Sequence, residues 1–156
     1  MAGSTGSSVD IRRAGTADAA ALTGLVERYW EFEGIQGFEA HRVERLLQAL
    51  LRDPTVGLGW VAWLDDQPVG YLLAVLVFSL EHGGRMAEID EFFVLGPARA
   101  AGVGRRLLAA AEAALTAIGC VRVQLQLGTH NIAAREFYRR HGYLERDGYE
   151  LLDKPL

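Results

Sequence analysis

The chain has 156 residues, 50% of them hydrophobic and 23% charged, the balance of one ordinary globular domain that buries a core without disulfides or metal. Sixteen basic against twenty acidic residues leave a formal charge of -4, the wrong sign for general attraction to nucleic acid. Cys120 is the single cysteine, which excludes an internal disulfide and a cysteine metal cluster, and the longest apolar run, Val69 to Leu80, is too short to span a bilayer.

Met1 to Ser8 is rich in Gly, Ser and Ala, lacks the basic flank and apolar stretch of a signal peptide, and reads as a loose tail before a single domain over residues 9–156. Val9 to Ala14 alternates as a strand does. Thr16, with Asp18 following, opens a helix whose Leu22, Leu25, Val26 and Tyr29 recur at helical spacing until Gly34 and Gly37 interrupt. A second helix is expected over Phe38 to Leu51, ended by Asp53-Pro54. Gly59 to Leu64 and Val69 to Leu80 form a hairpin around Asp65-Asp66-Gln67-Pro68, and Met86 to Leu95 is a third apolar strand.

From Val103 to Ile118 the pattern is helical, with Leu107, Leu108, Ala111, Leu115 and Ile118 on one face and Gly119 past the end. Val121 to Leu127 reads as strand, Asn131 to Arg140 as helix closed by Gly142, and Tyr143 to Leu152 as two strands around Asp147-Gly148. The order β-α-α-β-β-β-α-β-α-β-β describes an α/β (α+β) fold in three layers, a mixed sheet with helices on both faces.

The turn Arg99-Ala100-Ala101-Gly102-Val103-Gly104-Arg105 lies between a buried strand and a long helix. Free amides at a helix N-terminus attract an anion, glycine permits close approach, and Arg99 and Arg105 add charge. A plain strand-to-helix turn also explains the glycines. The run lacks the Gly-Lys-Ser/Thr of a triphosphate loop and the third glycine of a dinucleotide fingerprint.

Arg-x-x-Gly-x-Gly after Phe92-Phe93-Val94 resembles the acetyl-CoA pyrophosphate loop of the GNAT N-acetyltransferases, and Asn131-x-x-Ala134-x-x-Phe137-Tyr138-x-x-x-Gly142-Tyr143 resembles that family's later helix. The likeness covers nearly the whole chain. It departs at Ala100, where the family often has glycine, and at Pro97, shifted by one place. The resemblance implies acetyl-CoA as co-substrate, the GNAT fold with splayed central parallel strands, and direct attack of an amine in a ternary complex. It assigns the cofactor to Phe92, Phe93, Val94, the 99–105 turn, Asn131, Ala134 and Tyr138. Phe92 to Val94 would pair with the pantetheine arm and offer an N–H to the thioester oxygen, and Tyr138 would face the departing sulfur.

An alkyl amine of pKa ~10.4 is ~99.9% protonated near neutrality, so a base must remove a proton before attack. Glu88, Asp90 and Glu91 supply three carboxylates in four positions. Strict alternation places Glu88 and Asp90 on one side and Glu91 on the other, so helices on both faces would bury at least one acid. Asp90-Glu91-Phe92-Phe93-Val94 also resembles the acidic pair before Phe-Phe-Val in polyamine acetyltransferases. Asp90 is the first choice as base, then Glu91, then Glu88.

Family resemblance draws the acceptor pocket from the first helices and the loop before the central strand, where Tyr29, Trp30, Glu33, Glu81 and His82 stand. The expected acceptor is a small-molecule or peptide amine, with the acid-rich strand favouring a cation. A cytoplasmic homodimer without metal, nucleic-acid or membrane partner completes the reading. A catalytically silent CoA-binding module of the same fold is the competing one.

Overall fold

The computed structural model describes residues 8–156, so the expectation of a loose tail falls, apart from Ser8, outside the described residues. They gather into two compact units, one running through Leu125 and the other Gln126–Leu156. The first unit holds strands β1 (Val9–Arg13), β2 (Gly57–Leu64), β3 (Gln67–Ser79), β4 (Gly84–Val94) and β5 (Arg122–Leu125). Its helices are α1 (Ala19–Glu33), α2 (Ala40–Arg52), the single turn α3 (Gly96–Arg99) and α4 (Val103–Ala117), with a 3-10 turn at Thr16–Asp18. The second unit holds α5 (Ile132–Arg140).

The five strands form one sheet in sequential order, antiparallel from β1 to β4, with β5 parallel to β4. A parallel neighbour requires a crossover, and α4 provides it. Two-residue closure of the β2–β3 hairpin puts Asp65 and Asp66 at φ 48° and 60°, the left-handed pair whose twist matches the flanking strands.

Both faces of the sheet are covered, which is why β3 reads as a continuous apolar run rather than an alternating one. On one face Val61, Tyr71, Leu73 and Phe93 pack with Leu22, Leu25 and Val26 of α1 and Val43 and Leu47 of α2. On the other lie Leu72 and Ala74, and α4 buries Val103, Leu107, Leu108, Ala111 and Leu115. Gly70 marks the closeness of that contact: a methyl there would meet Val94 at 3.1 Å and Leu107 at 3.2 Å.

Several boundaries differ from the sequence expectation for local reasons. The first α-helix starts at Ala19, because Thr16 enters a 3-10 turn in which Asp18, not Thr16, accepts the Gly15 N–H at 2.7 Å. Glu39 caps α2 by accepting from the amides of His41 and Arg42, a role more often filled by shorter side chains. Ile118 ends α4 as its cap and is exposed, outside the apolar face to which periodicity assigned it. No strand forms over residues 143–152. Gly148 makes a turn at φ 84°, yet Leu144, Leu151 and Leu152 are exposed, and an isolated two-stranded hairpin is marginal in water.

Candidate active site

The acid-rich stretch of β4 does not alternate as a regular strand would. Leu73 of β3 stands opposite Glu91 and the next residue, Ala74, opposite Ile89, so Asp90 is the extra residue of a β-bulge. Glu88 and Glu91, opposite Val75 and Leu73, therefore share the face covered by α1 and α2. This corrects the expectation that Glu91 points away from Glu88. The parallel ladder to β5 runs only from Met86↔Arg122 to Ile89↔Leu125. From Asp90 to Val94, β4 is paired to β3 alone among the described residues, and the bulge marks where the β5-side edge opens.

The three acids have different surroundings. Glu91 is half-buried; its Oε1 accepts from Trp30 Nε1 and its Oε2 from the Tyr71 hydroxyl, each at 2.7 Å. Burial pushes its pKa up, the two donors oppose that, and the charge of Asp90 adds to it. Glu88 accepts from Gln124 Nε2 on β5 at 2.8 Å. Asp90 reaches solvent on one side, and its carboxylate forms no hydrogen bond or ion pair among the described residues. Its pKa is raised, first by the packing behind it and then by Glu88.

Aromatic rings wall this acidic group. The Tyr29 ring lies 6.4 Å from Tyr71 and 5.7 Å from Phe93, and its phenol is pushed up to about 12 by burial, then by Glu33, Glu91 and Asp90. The hydroxyl thus remains protonated through the neutral range. Tyr71 is fully buried, and desolvation followed by the Glu91 charge raises its pKa further still, so it is a permanent donor. Nothing in the apolar run Val69 to Leu80 singled Tyr71 out except that it is the one tyrosine there, a polar tip needing a partner.

The 99–105 turn divides between two uses. Arg99 donates from Nε to the Val94 carbonyl at 2.8 Å, and its guanidinium lies 4.9 Å from the Phe32 ring centre and 5.5 Å from that of Phe93, tying α1 to the end of β4. Ala100 and Ala101 follow as turn residues. Gly102, at φ 72°, caps α4 without a side chain, and a methyl added there would meet nothing within 4 Å. The first α4 ring closes from Arg106 N to Gly102 O at 3.2 Å, so the amides of Val103, Gly104 and Arg105 precede any intrahelical acceptor. With Arg105 exposed beside them, this end of α4 fits a diphosphate, and the open edge at Phe92, Phe93 and Val94 fits an extended amide-bearing chain.

Glu81 and His82 are not brought to this group. They occupy the tip of the β3–β4 hairpin, seven or more residues up the strand from Glu91, roughly 20 Å at the rise of a β-strand. There the His82 amide donates to Ser79 Oγ at 3.2 Å. In the second unit Asn131 caps α5, its Oδ1 accepting from the Ala134 amide at 3.1 Å. Half-buried Tyr138 packs its ring 5.3 Å from Tyr143.

Comparison with known proteins agrees with this architecture. The chain is 30% identical over 148 residues to the uncharacterized N-acetyltransferase YhfO of Bacillus subtilis, covering 90% of this chain and 93% of that protein. It is 34% identical over 95 residues to the aminoalkylphosphonate N-acetyltransferase of Salmonella typhimurium, 61% of each chain. In fold it is similar to the aminoglycoside N-acetyltransferase AAC(6')-Iy, solved in complex with CoA, at a TM-score of 0.84 and 20% identity over 98% of this chain and 99% of that one. The Acetyltransferase (GNAT) family matches over residues 22–143, and with the bulged acidic strand and the glycine-capped helix now in place, this chain belongs to the GNAT acetyltransferases.

Proposed function

We propose that residues 9–156 act as one domain that transfers acetyl from acetyl-CoA to the primary amine of a cationic small molecule or peptide, by direct attack in a ternary complex with Asp90 as proton acceptor. One observation carries the assignment of the base. Of the three acids on β4, Glu88 and Glu91 are engaged by side-chain donors, while bulged Asp90 has none.

A proton acceptor needs an available lone pair and a proton affinity raised toward the working pH, and Asp90 has both. It takes the ammonium proton directly or through one water. Clustered Glu91 and Glu88 make this wall anionic, which favours a cationic acceptor. Bound acetyl-CoA supplies the activated thioester. The amides of Val103, Gly104 and Arg105 hold its phosphates, and the open edge of β4 at Phe92 to Val94 offers main-chain donors to its arm and carbonyl oxygen. Tyr138 donates its phenol hydrogen to the leaving sulfur. A free tyrosine titrates near pH 10 and a free thiol at ~8.5, so full transfer is uphill by roughly 2 kcal/mol and a hydrogen bond is the main contribution. Asn131 retains its amide nitrogen for the cofactor while its oxygen caps α5.

A thiol-release assay with acetyl-CoA tests the proposal over polyamines, aminoglycosides, aminoalkylphosphonates, amino acids and peptide N-termini. Turnover concentrated on cationic amines supports it. Turnover confined to anionic acceptors, or none on any amine, overturns it.

A further inference from the structure

Two side-chain donors hold Glu91, and neither belongs to β4. Trp30 arrives from α1 and Tyr71 from β3, and each gives a single donor to a different carboxylate oxygen at 2.7 Å. Indole nitrogen only donates, and a buried phenol held far above its ordinary pKa does the same, so both are matched to an ionised carboxylate. Around Glu91 stand Tyr29 and Trp30 from α1, with Glu33 beside Tyr29, Tyr71 from β3, and Asp90 on β4 itself. Among the described residues no cation forms an ion pair with it. Its charge is thus stabilised by neutral donors and left uncompensated, facing Asp90.

We propose that Trp30 and Tyr71 are positioning residues that lock Glu91 as a stationary anion beside Asp90, so that the two neighbouring acids divide the work: Asp90 takes the proton and Glu91 holds the charge that draws the acceptor's cation. The bulge makes the division possible, because it turns Asp90 out of the register in which Tyr71 reaches its neighbour. Trp30 extends the arrangement outward. Its ring packs edge-on against Phe38 at 5.9 Å and lines a cavity of about 280 Å³ with Glu27, Glu31 and Ile35, so the α1–α2 turn is set against the same bond. This inference rests on Asp90 being the base.

The test is a carbon-13 NMR titration of the Glu91 carboxyl in the whole protein and in Trp30→Phe, Tyr71→Phe and Asp90→Asn. Each of the two Phe variants keeps an aromatic side chain and removes one donor to the ionised carboxylate, so the Glu91 midpoint should rise by about one pH unit in each. In Asp90→Asn the Glu91 midpoint should fall, because the like charge that raises it has been removed. The Trp30 indole resonance, identified by its loss in Trp30→Phe, should move with the Glu91 titration, while those of Trp60 and Trp63 report that the sheet is intact. A Glu91 midpoint unchanged in Trp30→Phe and Tyr71→Phe overturns the proposal, as does a Glu91 midpoint indifferent to Asp90→Asn. Where one ring variant does not fold, the other decides. An amine panel without turnover would overturn the assignment of Asp90 and leave the Glu91 titration to decide the clamp independently.

Discussion

The indole of Trp30 on α1 and the carboxylate of Glu91 on β4 meet at 2.7 Å across 61 residues of sequence. That bond, with the one from Tyr71, opposes the upward pull of burial on the Glu91 pKa. Asp90, one residue away, is left as the carboxylate without a donor.

Asp90→Asn should therefore lower kcat/KM about 10²-fold to 10⁴-fold, the usual contribution of a general base, with acetyl-CoA affinity unchanged. Thiol release and calorimetry on the same variant check both halves. The wild-type acid limb should lie above the ordinary aspartate range, in the direction of its raised pKa.

The same substitution should stabilise the fold at neutral pH. A native pKa above the unfolded one means the folded chain binds this proton more tightly, so stability falls as pH rises through the unfolded value and the loss is complete above the native one. Asp90→Asn removes that loss. Its Tm should exceed that of wild type at pH 7 and converge with it below about pH 3.9, where both states are protonated. A lower Tm across the whole range would contradict the burial argument.

Gly102→Ala should cost about 1 kcal/mol of stability, since a left-handed φ of 72° disfavours a side chain. The methyl itself meets nothing within 4 Å, so its effect on the first-turn amides of α4 comes through the strained cap. An increase of roughly tenfold in the Kd for CoA, equivalent to about 1.4 kcal/mol, is expected by calorimetry. Unaltered CoA binding would remove these amides from the phosphate site.

Tyr138→Phe should reduce kcat roughly tenfold to a hundredfold, the value of one hydrogen bond to a charged group, and leave the Kd for acetyl-CoA in place. Single-turnover kinetics separates this from slowed product release.

Asn131→Ala should fray α5, because it removes the Oδ1 that accepts from Ala134. Loss of such a cap costs about 1 kcal/mol. Faster amide hydrogen exchange in the first turn of α5 is the measurement, and unchanged protection there would show that the cap contributes little.

Much of this protein is determined by its sequence alone. Helical spacing of Leu107, Leu108, Ala111 and Leu115 and the apolar run around Tyr71 specify a helix and a doubly covered strand wherever the core forms. Gly102, left-handed and without a capping side chain, specifies where α4 starts. Local periodicity fails where a residue's environment comes from elsewhere in the chain. The extra residue at Asp90 is a matter of register against β3, so it reversed the face expected for Glu91. Residues 143–152, expected as two strands, form none, because pairing is not set by the pattern along the chain. Which acid is clamped and which is open depends on Trp30 and Tyr71 arriving from two other elements, and only the tertiary structure decides that, because a hydrogen bond is set by distance in space and not by spacing along the chain.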